Sequence, residues 1–178
     1  MTNAPDAPSD PAAMRRRVVE LINEGARLLH ARRPGEALAP LTEAYTLAPD
    51  DPDVAINLGG ALIMTARWSR AVSVLEQAVS LHPDNVRLWI NLAAAYLGRL
   101  ELASPAAQER AIAAYERALS LDPQAPGVHY NLGLIYAERR AWAEAAYWFG
   151  EALRLRPDDA DAAWWFQQVQ NAATGSAS

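Results

Sequence analysis

One short phrase closes on a proline four times along the chain, and this recurrence constrains the fold more than any other feature. The phrases are EAYTLAP, EQAVSLHP, YERALSLDP and FGEALRLRP, which end at Pro49, Pro83, Pro123 and Pro157. The steps between these prolines are 34, 40 and 34 residues. A period of this length is typical of solenoids, in which each unit is one helix pair stacked on the next. The sequence therefore predicts an all-α fold that offers an extended surface to a partner.

The repeat units follow from this period. Starting each unit 31 residues before its proline gives 18–51, 52–85, 86–125 and 126–159. The third unit holds six extra residues between Tyr96 and Ala111, which we expect to lengthen the turn or the second helix. We interpret this insertion as a surface loop, with a partner-binding loop as the alternative.

Each unit carries two apolar stripes at helical spacing. In the first helix the stripe occupies unit positions 4, 7, 8 and 11, which share one face at about 100° per residue. Position 8 is always small: Gly25, Gly59, Ala93 and Gly133. The second helix presents a large residue at the matching place: Leu41, Leu75, Tyr115 and Phe149. Small residues facing large ones predict a close helix–helix contact.

These residues carry a resemblance to a known family. The pattern W/L-x2-L-G-x2-Y, then A-x3-F/Y-x2-A, then P resembles the tetratricopeptide repeat, most clearly in AINLGGAL…AVSVLEQAVSLHP and HYNLGLIY…AEAAYWFGEALRLRP. The resemblance implies a right-handed superhelical solenoid of antiparallel helix pairs. The first repeat departs from the pattern at Glu24 and Pro34, which suits a terminal unit with one face in water.

The remaining segments complete the predicted organisation. We expect disordered tails at 1–10 and 172–178, a single solenoid over 11–171, and a capping helix over 159–171. Asp10 and Pro11 are a plausible N-cap and first-turn pair for the first helix. In the capping helix we expect Ala163 and Phe166 to lie on the buried stripe, with Gln167 and Gln170 facing outward.

Position 6 is asparagine in every repeat, on the face of the first helix that does not pack. The four residues are Asn23, Asn57, Asn91 and Asn131. Asparagine is a mediocre helix former, so four in register need a reason. The family resemblance implies one, since this face lines the concave groove of tetratricopeptide superhelices. A similar asparagine ladder in the repeats of O-GlcNAc transferase holds the backbone of an extended peptide. The alternative is that the asparagines bond only neighbouring helices or water.

The predicted peptide-binding residues extend beyond the asparagines. Position 5 adds an apolar wall made of Ile22, Ile56, Ile90 and Tyr130. Arg87 is the only arginine at position 2 and predicts a preference for an acidic residue in the ligand. The chaperone-type carboxylate clamp of this family is incomplete here, because only Asn57 and Arg87 match its places. Trp164 and Trp165 form either a hydrophobic anchor for a ligand or second protomer, or a pair that packs over the last repeat.

Composition excludes several other function classes. A formal net charge of -5 argues against nucleic acid as a partner, because phosphate binding needs a basic surface. The chain has no cysteine, its histidines (His30, His82 and His129) have no spaced partners, and it contains no glycine-rich phosphate loop. We expect His129 to lie in the core against a hydrogen-bond acceptor. We expect no enzyme activity, no cofactor and no metal.

No apolar run approaches the roughly 18 residues of a membrane span, and Met1 to Ala13 lacks the pattern of a secretory signal. We therefore expect a cytoplasmic module that binds a protein or peptide partner in extended conformation. The alternative is a structural subunit whose groove or C-terminal tryptophans mediate homo-oligomerisation or fixed complex assembly.

Overall fold

The computed structural model describes residues 10–175, and all regular elements in that range are helical. The prediction of an all-α fold is confirmed. A 3₁₀ turn spans Leu100–Leu102. The α-helices of the described range are α1 Pro11–His30, α2 Pro34–Leu47, α3 Pro52–Met64, α4 Trp68–Leu81, α5 Val86–Leu97, α6 Pro105–Leu121, α7 Val128–Glu138, α8 Trp142–Leu155 and α9 Ala160–Gly175.

The repeat prolines set the ends of the second helices. Each of α2, α4, α6 and α8 ends two residues before its proline. The proline ring disfavours the helical conformation of the residue that precedes it, and proline has no N–H to continue the hydrogen-bond ladder. The prediction that proline ends each second helix is confirmed.

The turn inside three of the repeats uses a left-handed residue that is not glycine. Arg32, Ala66 and Arg140 have φ values of 54°, 57° and 56°. In the first of these turns Arg33 donates its backbone N–H to the Leu28 carbonyl at 2.9 Å, which closes the end of α1. This hydrogen-bond pattern reverses the chain within three residues and starts the second helix antiparallel to the first.

The chain divides into two compact units, with the boundary between Ala95 and Tyr96. In the N-terminal unit, a Cβ added to Gly25 would lie 2.4 Å from Leu41 Cγ, and one added to Gly59 would lie 2.8 Å from Leu75 Cδ2. Both leucines are fully buried. The predicted close approach at position 8 is therefore confirmed in this unit.

The C-terminal unit repeats this packing and contains the insertion. A Cβ added to Gly133 would lie 2.8 Å from Phe149 Cδ1, and Phe149 is fully buried. The insertion lengthens both elements that were expected to absorb it. The segment 98–104 replaces the three-residue turn of the other repeats, and α6 has 17 residues where the other second helices have 14.

The ends of the described range differ in part from expectation. Asp10 accepts a hydrogen bond from the Ala12 N–H at 2.9 Å, so the predicted N-cap of α1 is confirmed. At the other end, α9 continues through Gly175, and the expectation of a disordered tail from 172 is wrong for 172–175. Thr174 stabilises this last turn, because its hydroxyl donates to the Asn171 carbonyl at 2.9 Å.

Some assignments remain predictions. The tail segments 1–9 and 176–178 lie outside the described residues. The assignment of 11–171 to a single solenoid also stays a prediction. Among helices of the described range, none is both long and apolar enough to cross a membrane.

Candidate functional site

The asparagine face of the N-terminal unit is partly occupied by bonds within the protein. Asn23 on α1 is exposed, and Asn57 on α3 donates an Nδ2–H to the Asp53 carbonyl of its own helix at 2.8 Å. Asn91 on α5 donates to the Ile56 carbonyl of α3 at 3.1 Å. Asn91 therefore joins neighbouring first helices, as the structural interpretation expects. Since a carboxamide has two N–H donors and an acceptor oxygen, Asn57 and Asn91 each keep one donor and the oxygen for a ligand.

The apolar wall beside these asparagines is smaller than predicted. Ile56 is only 5% exposed. It therefore offers little surface to a ligand, and its assignment as a ligand-binding side chain stays a prediction. Ile22 packs against the cluster around Leu21 but remains half-buried, and Ile90 is also half-buried. These two side chains keep apolar surface that a ligand can cover.

Arg87 has a partner in the same unit. Its Nη1 lies 3.8 Å from Asp53 Oδ1, and both side chains are exposed. An exposed ion pair of this length contributes little to stability. An acidic ligand residue would therefore compete with Asp53 for Arg87.

Gly60 leaves open space on the asparagine face. It lies one turn after Asn57 on α3, and a Cβ added to it would meet nothing within 4 Å. Glycine inside a helix costs about 0.5–1 kcal/mol relative to alanine. No packing contact requires glycine at this place.

The corresponding face of the C-terminal unit holds Asn131 and Tyr130 on α7. Both are half-buried, and the Tyr130 ring meets Phe149 edge-to-face at 5.6 Å. Burial raises the pKa of Tyr130, and the carboxylates of Asp161 and Asp159 raise it further. A cavity of about 490 Å³ opens here, lined by Gly127, Tyr130, Asn131, Arg156, Asp158, Asp159 and Asp161.

The two tryptophans of α9 have separate roles. Trp165 stacks on Phe149 with centroids 6.0 Å apart and an interplanar angle of 8°. The Trp165 ring therefore packs over the last repeat, as one of the two interpretations expects. Trp164 is 56% exposed and touches Trp165 edge-to-face at 5.0 Å. Of the pair, Trp164 alone offers a large free surface.

The buried stripe of α9 is shifted from the predicted register. Ala162 and Val169 are buried, whereas Ala163 is exposed. The prediction assumed that α9 packs like the first helix of a complete repeat. No second helix follows α9 in the described range, so it buries only the face that packs on α8.

The histidines do not assemble a chemical site. His30 is exposed at the end of α1, and the His82 ring bonds the Asp50 carbonyl at 2.7 Å. His129 lies in the core, but its ring packs against Trp148 at 5.8 Å rather than against the expected acceptor. Within residues 10–175, no group of three or more His, Cys, Asp or Glu side chains is placed to hold a metal.

Comparison with protein families identifies the repeats. Tetratricopeptide repeat models match residues 28–76, 56–110 and 126–159, and a TPR repeat model matches 107–139. The chain contains tetratricopeptide repeats. Tetratricopeptide repeats typically mediate protein–protein interaction or scaffolding and are generally non-catalytic. A search of the curated proteins found no match.

Solved structures share the tetratricopeptide fold of this chain. The crystal structure of MamA aligns with a TM-score of 0.67 and 23% identity over 81% of each chain. The pilF protein of Pseudomonas aeruginosa gives 0.76 and 20% identity, covering 92% of this chain and 72% of that one. The Cut9–Hcn1 hetero-tetramer of the APC/C gives 0.74 and 19%, covering 85% of this chain and 29% of that one. At these identities the likeness shows the fold alone.

Proposed function

We propose that this chain is a non-catalytic protein-interaction module that binds an extended peptide through its asparagine face. The observation that carries the proposal lies in the N-terminal unit. Asn57 and Asn91 keep unused hydrogen-bonding groups on a face where Gly60 leaves open space. In the C-terminal unit we propose that Asn131 acts in the same way.

The chemistry suits recognition of a peptide backbone. A carboxamide can accept from a peptide N–H and donate to a peptide carbonyl. Packed helices lie about 10 Å apart, and an extended chain advances about 3.3 Å per residue. One asparagine would therefore bond roughly every third residue of the ligand, without regard to its side chains.

Hydrogen bonds alone do not give useful affinity. Each neutral hydrogen bond contributes about 1 kcal/mol, whereas association costs at least about 4 kcal/mol. Burial of ligand side chains against Ile22 and Ile90 must supply the rest. We therefore expect micromolar binding of short apolar segments. An acidic ligand residue should be favoured near Arg87, because it can replace Asp53 as the ion-pair partner of Arg87.

Selection from a displayed peptide library tests this proposal. The wild-type chain is compared with Asn57→Ala, with Asn57→Ala/Asn91→Ala, and with the control Asn171→Ala. Asn171 is an exposed helical asparagine on α9 that bonds Gln167 at 3.1 Å, so the control removes a carboxamide of the same kind from another surface. We expect wild type and control to enrich the same peptides and the double variant to lose them.

Stability must be separated from binding in this experiment. Asn91→Ala also removes the bond between α5 and α3, whereas Asn57→Ala removes only a bond within one helix. A loss of binding by Asn57→Ala with an unchanged melting temperature supports the proposal directly. Equal enrichment by wild type and the double variant would refute it.

Exposed Trp164 favours a second candidate function, assembly with a second copy of the chain or a fixed subunit. Aromatic side chains dominate many protein interfaces, and this ring is large and open to solvent. Sedimentation of wild type and Trp164→Ala at micromolar concentration tests it. Self-association that the variant loses supports assembly, and a monomer at all concentrations excludes a homo-oligomer through this residue.

A further inference from the structure

The first turn of α7 lacks the side-chain cap that other first helices have. Asp51, Asn85 and Asp159 precede α3, α5 and α9, and each accepts hydrogen bonds from backbone N–H groups of the first turn. At α7 the N-cap is Gly127, which has φ 75° and no side chain. The start of α7 therefore has donors without the usual acceptor.

Two backbone N–H groups in the first turn of α7 are left without a hydrogen-bond acceptor. Val128 donates its N–H to the preceding turn at 3.3 Å, and Asn131 donates to the Gly127 carbonyl at 3.0 Å. This leaves the backbone N–H groups of His129 and Tyr130, which are the ones an N-cap side chain normally bonds. They add to the partial positive charge of the helix start.

A cavity of about 210 Å³ lies at this helix start. On the α7 side it is bounded by Gly127, His129 and Tyr130. On the other side it is bounded by Ala152 and Leu155 of α8 and by Arg156, the C-cap of α8. Polar donors thus meet apolar walls in one recess of the C-terminal unit. Such a combination is typical of small binding pockets.

His129 is a second polar group at this recess. The residue is only 7% exposed, and its ring has no hydrogen-bond partner among the described residues. None of the described side chains has a fully buried nitrogen or oxygen without a partner. The ring nitrogens of His129 are therefore not sealed off, and His129 is one of the residues that line the cavity.

Arg156 adds a full positive charge. Its Nη2 pairs with Asp159 at 2.7 Å, while Asp159 also caps α9 through the Ala162 N–H. The guanidinium has five N–H donors, so this one pair leaves others for a ligand. A charge-assisted bond from Arg156 would be the strongest single contact in the recess.

We propose that this cavity binds a carboxylate group of a partner protein, which takes the place of the absent N-cap. The carboxylate would accept from the backbone N–H groups of His129 and Tyr130, from the His129 ring and from Arg156. Helix starts bind anions for this reason. A monoanion fits better than phosphate, because the carboxylates of Asp158 and Asp161 nearby oppose a second negative charge.

Titration of the full chain with sodium acetate, followed by NMR, tests the proposal at constant ionic strength. We expect saturable shifts in the His129 ring and in the backbone amides of His129 and Tyr130. N-acetylglycine then represents a chain terminus, and N-acetylaspartate α-amide represents a side chain. The tighter of the two identifies the source of the carboxylate, and neutral N-acetylglycinamide should cause no saturable shift.

Two variants and a matched control make the test specific. Arg156→Gln should weaken acetate binding about tenfold, as expected for the loss of a charge-assisted hydrogen bond. His129→Leu should also weaken acetate binding, although the positive charge of Arg156 remains. Arg139→Gln is the control, because Arg139 pairs with the Glu109 carboxylate in the same unit and does not line the cavity. It should bind acetate like wild type.

Three results would overturn the proposal: no saturable shift with acetate, equal weakening by Arg139→Gln, or tighter binding of inorganic phosphate than of acetate. Should Arg156→Gln unfold because it releases Asp159, the His129→Leu comparison still decides. This site is separate from the asparagine face. Failure here would leave the proposed peptide binding untouched, and failure of the peptide selection would leave this site untouched.

Discussion

Adjacent glycines of α3 should respond to alanine in opposite directions. Gly59 faces the second helix, where an added Cβ would lie 2.8 Å from Leu75 Cδ2, well inside the roughly 3.5–4.0 Å of a normal carbon–carbon contact. Gly60 faces open space, and neither glycine has a positive φ. Because the two positions share one helix, helix propensity is the same and only the surroundings differ.

The magnitudes follow from these contacts. Gly60→Ala should stabilise the protein by about 0.5–1 kcal/mol through helix propensity alone. Gly59→Ala gains the same amount but crowds the fully buried Leu75, and overpacking costs about 1–3 kcal/mol. Gly25→Ala should be worse still, since its Cβ would lie 2.4 Å from both Leu41 Cγ and Cδ2.

Urea denaturation followed by far-UV circular dichroism measures the three variants against wild type. We expect the midpoints to rank Gly60→Ala, wild type, Gly59→Ala and Gly25→Ala, from most to least stable. If Gly60→Ala were less stable than wild type, or Gly59→Ala as stable as Gly60→Ala, the reasoning from these contacts would be refuted. A stabilised Gly60→Ala that also loses the peptides selected by wild type would show that a ligand approaches α3 closely there.

Three further predictions concern capping, aromatic stacking and pH. Asp51→Ala should lower the free energy of unfolding by about 1 kcal/mol in urea denaturation, because the N-cap bonds of α3 are lost; no change would contradict this role. Trp165→Ala should lower the melting temperature clearly, and Trp164→Ala should change it little; the reverse order would contradict the packing of α9. A hydrogen bond from Arg33 lowers the pKa of Glu36, so the pair stabilises the folded state above the usual Glu pKa and loses this as pH falls through the lowered value. Unfolding of wild type and Glu36→Gln across acidic pH should therefore differ slightly at neutral pH and converge in acid, and a gap that widens in acid would contradict the sign.

The sequence predicts the helix pairs because their determinants are local and repeated. A proline after each second helix and a small residue at position 8 recur at fixed spacing, and each acts through chain geometry or direct packing. The turns are different. Arg32, Ala66 and Arg140 adopt a left-handed conformation that sequence patterns associate with glycine, so their residue types give no signal.

The candidate site was harder to predict, because its residues depend on neighbours from other repeats. The bonding of the position 6 asparagines could not be predicted from the repeat pattern. Asn57 bonds its own helix and Asn91 bonds the next one, although both occupy the same position. Arg87 likewise gave no sign of its pairing with Asp53, which lies one repeat earlier. The uncapped start of α7 could have been found, since Ala125 stands at the place of the capping residues Asp51, Asn85 and Asp159.

The helices at the two ends of the described range show why a single predicted packing stripe did not identify all the buried positions. The internal helix α3 buries positions 3, 7 and 10 as well as 4, 8 and 11. Helix α1 has no repeat before it in the described range. Of these two sets it buries the second, together with Val18 at position 1, and it has charged residues at the first: Glu20, Glu24 and Arg27.

Helix α9 has no second helix after it in that range. It buries Ala162 and Val169 of the first set and half-buries Phe166, with Gln167 and Gln170 exposed at the second. Positions 3, 7 and 10 therefore meet the preceding repeat, and positions 4, 8 and 11 meet the second helix of their own. The buried face of α1 or α9 can be predicted correctly only when it is known which packing neighbour the helix lacks. The polar residues of the helix lie on the face where that neighbour would pack.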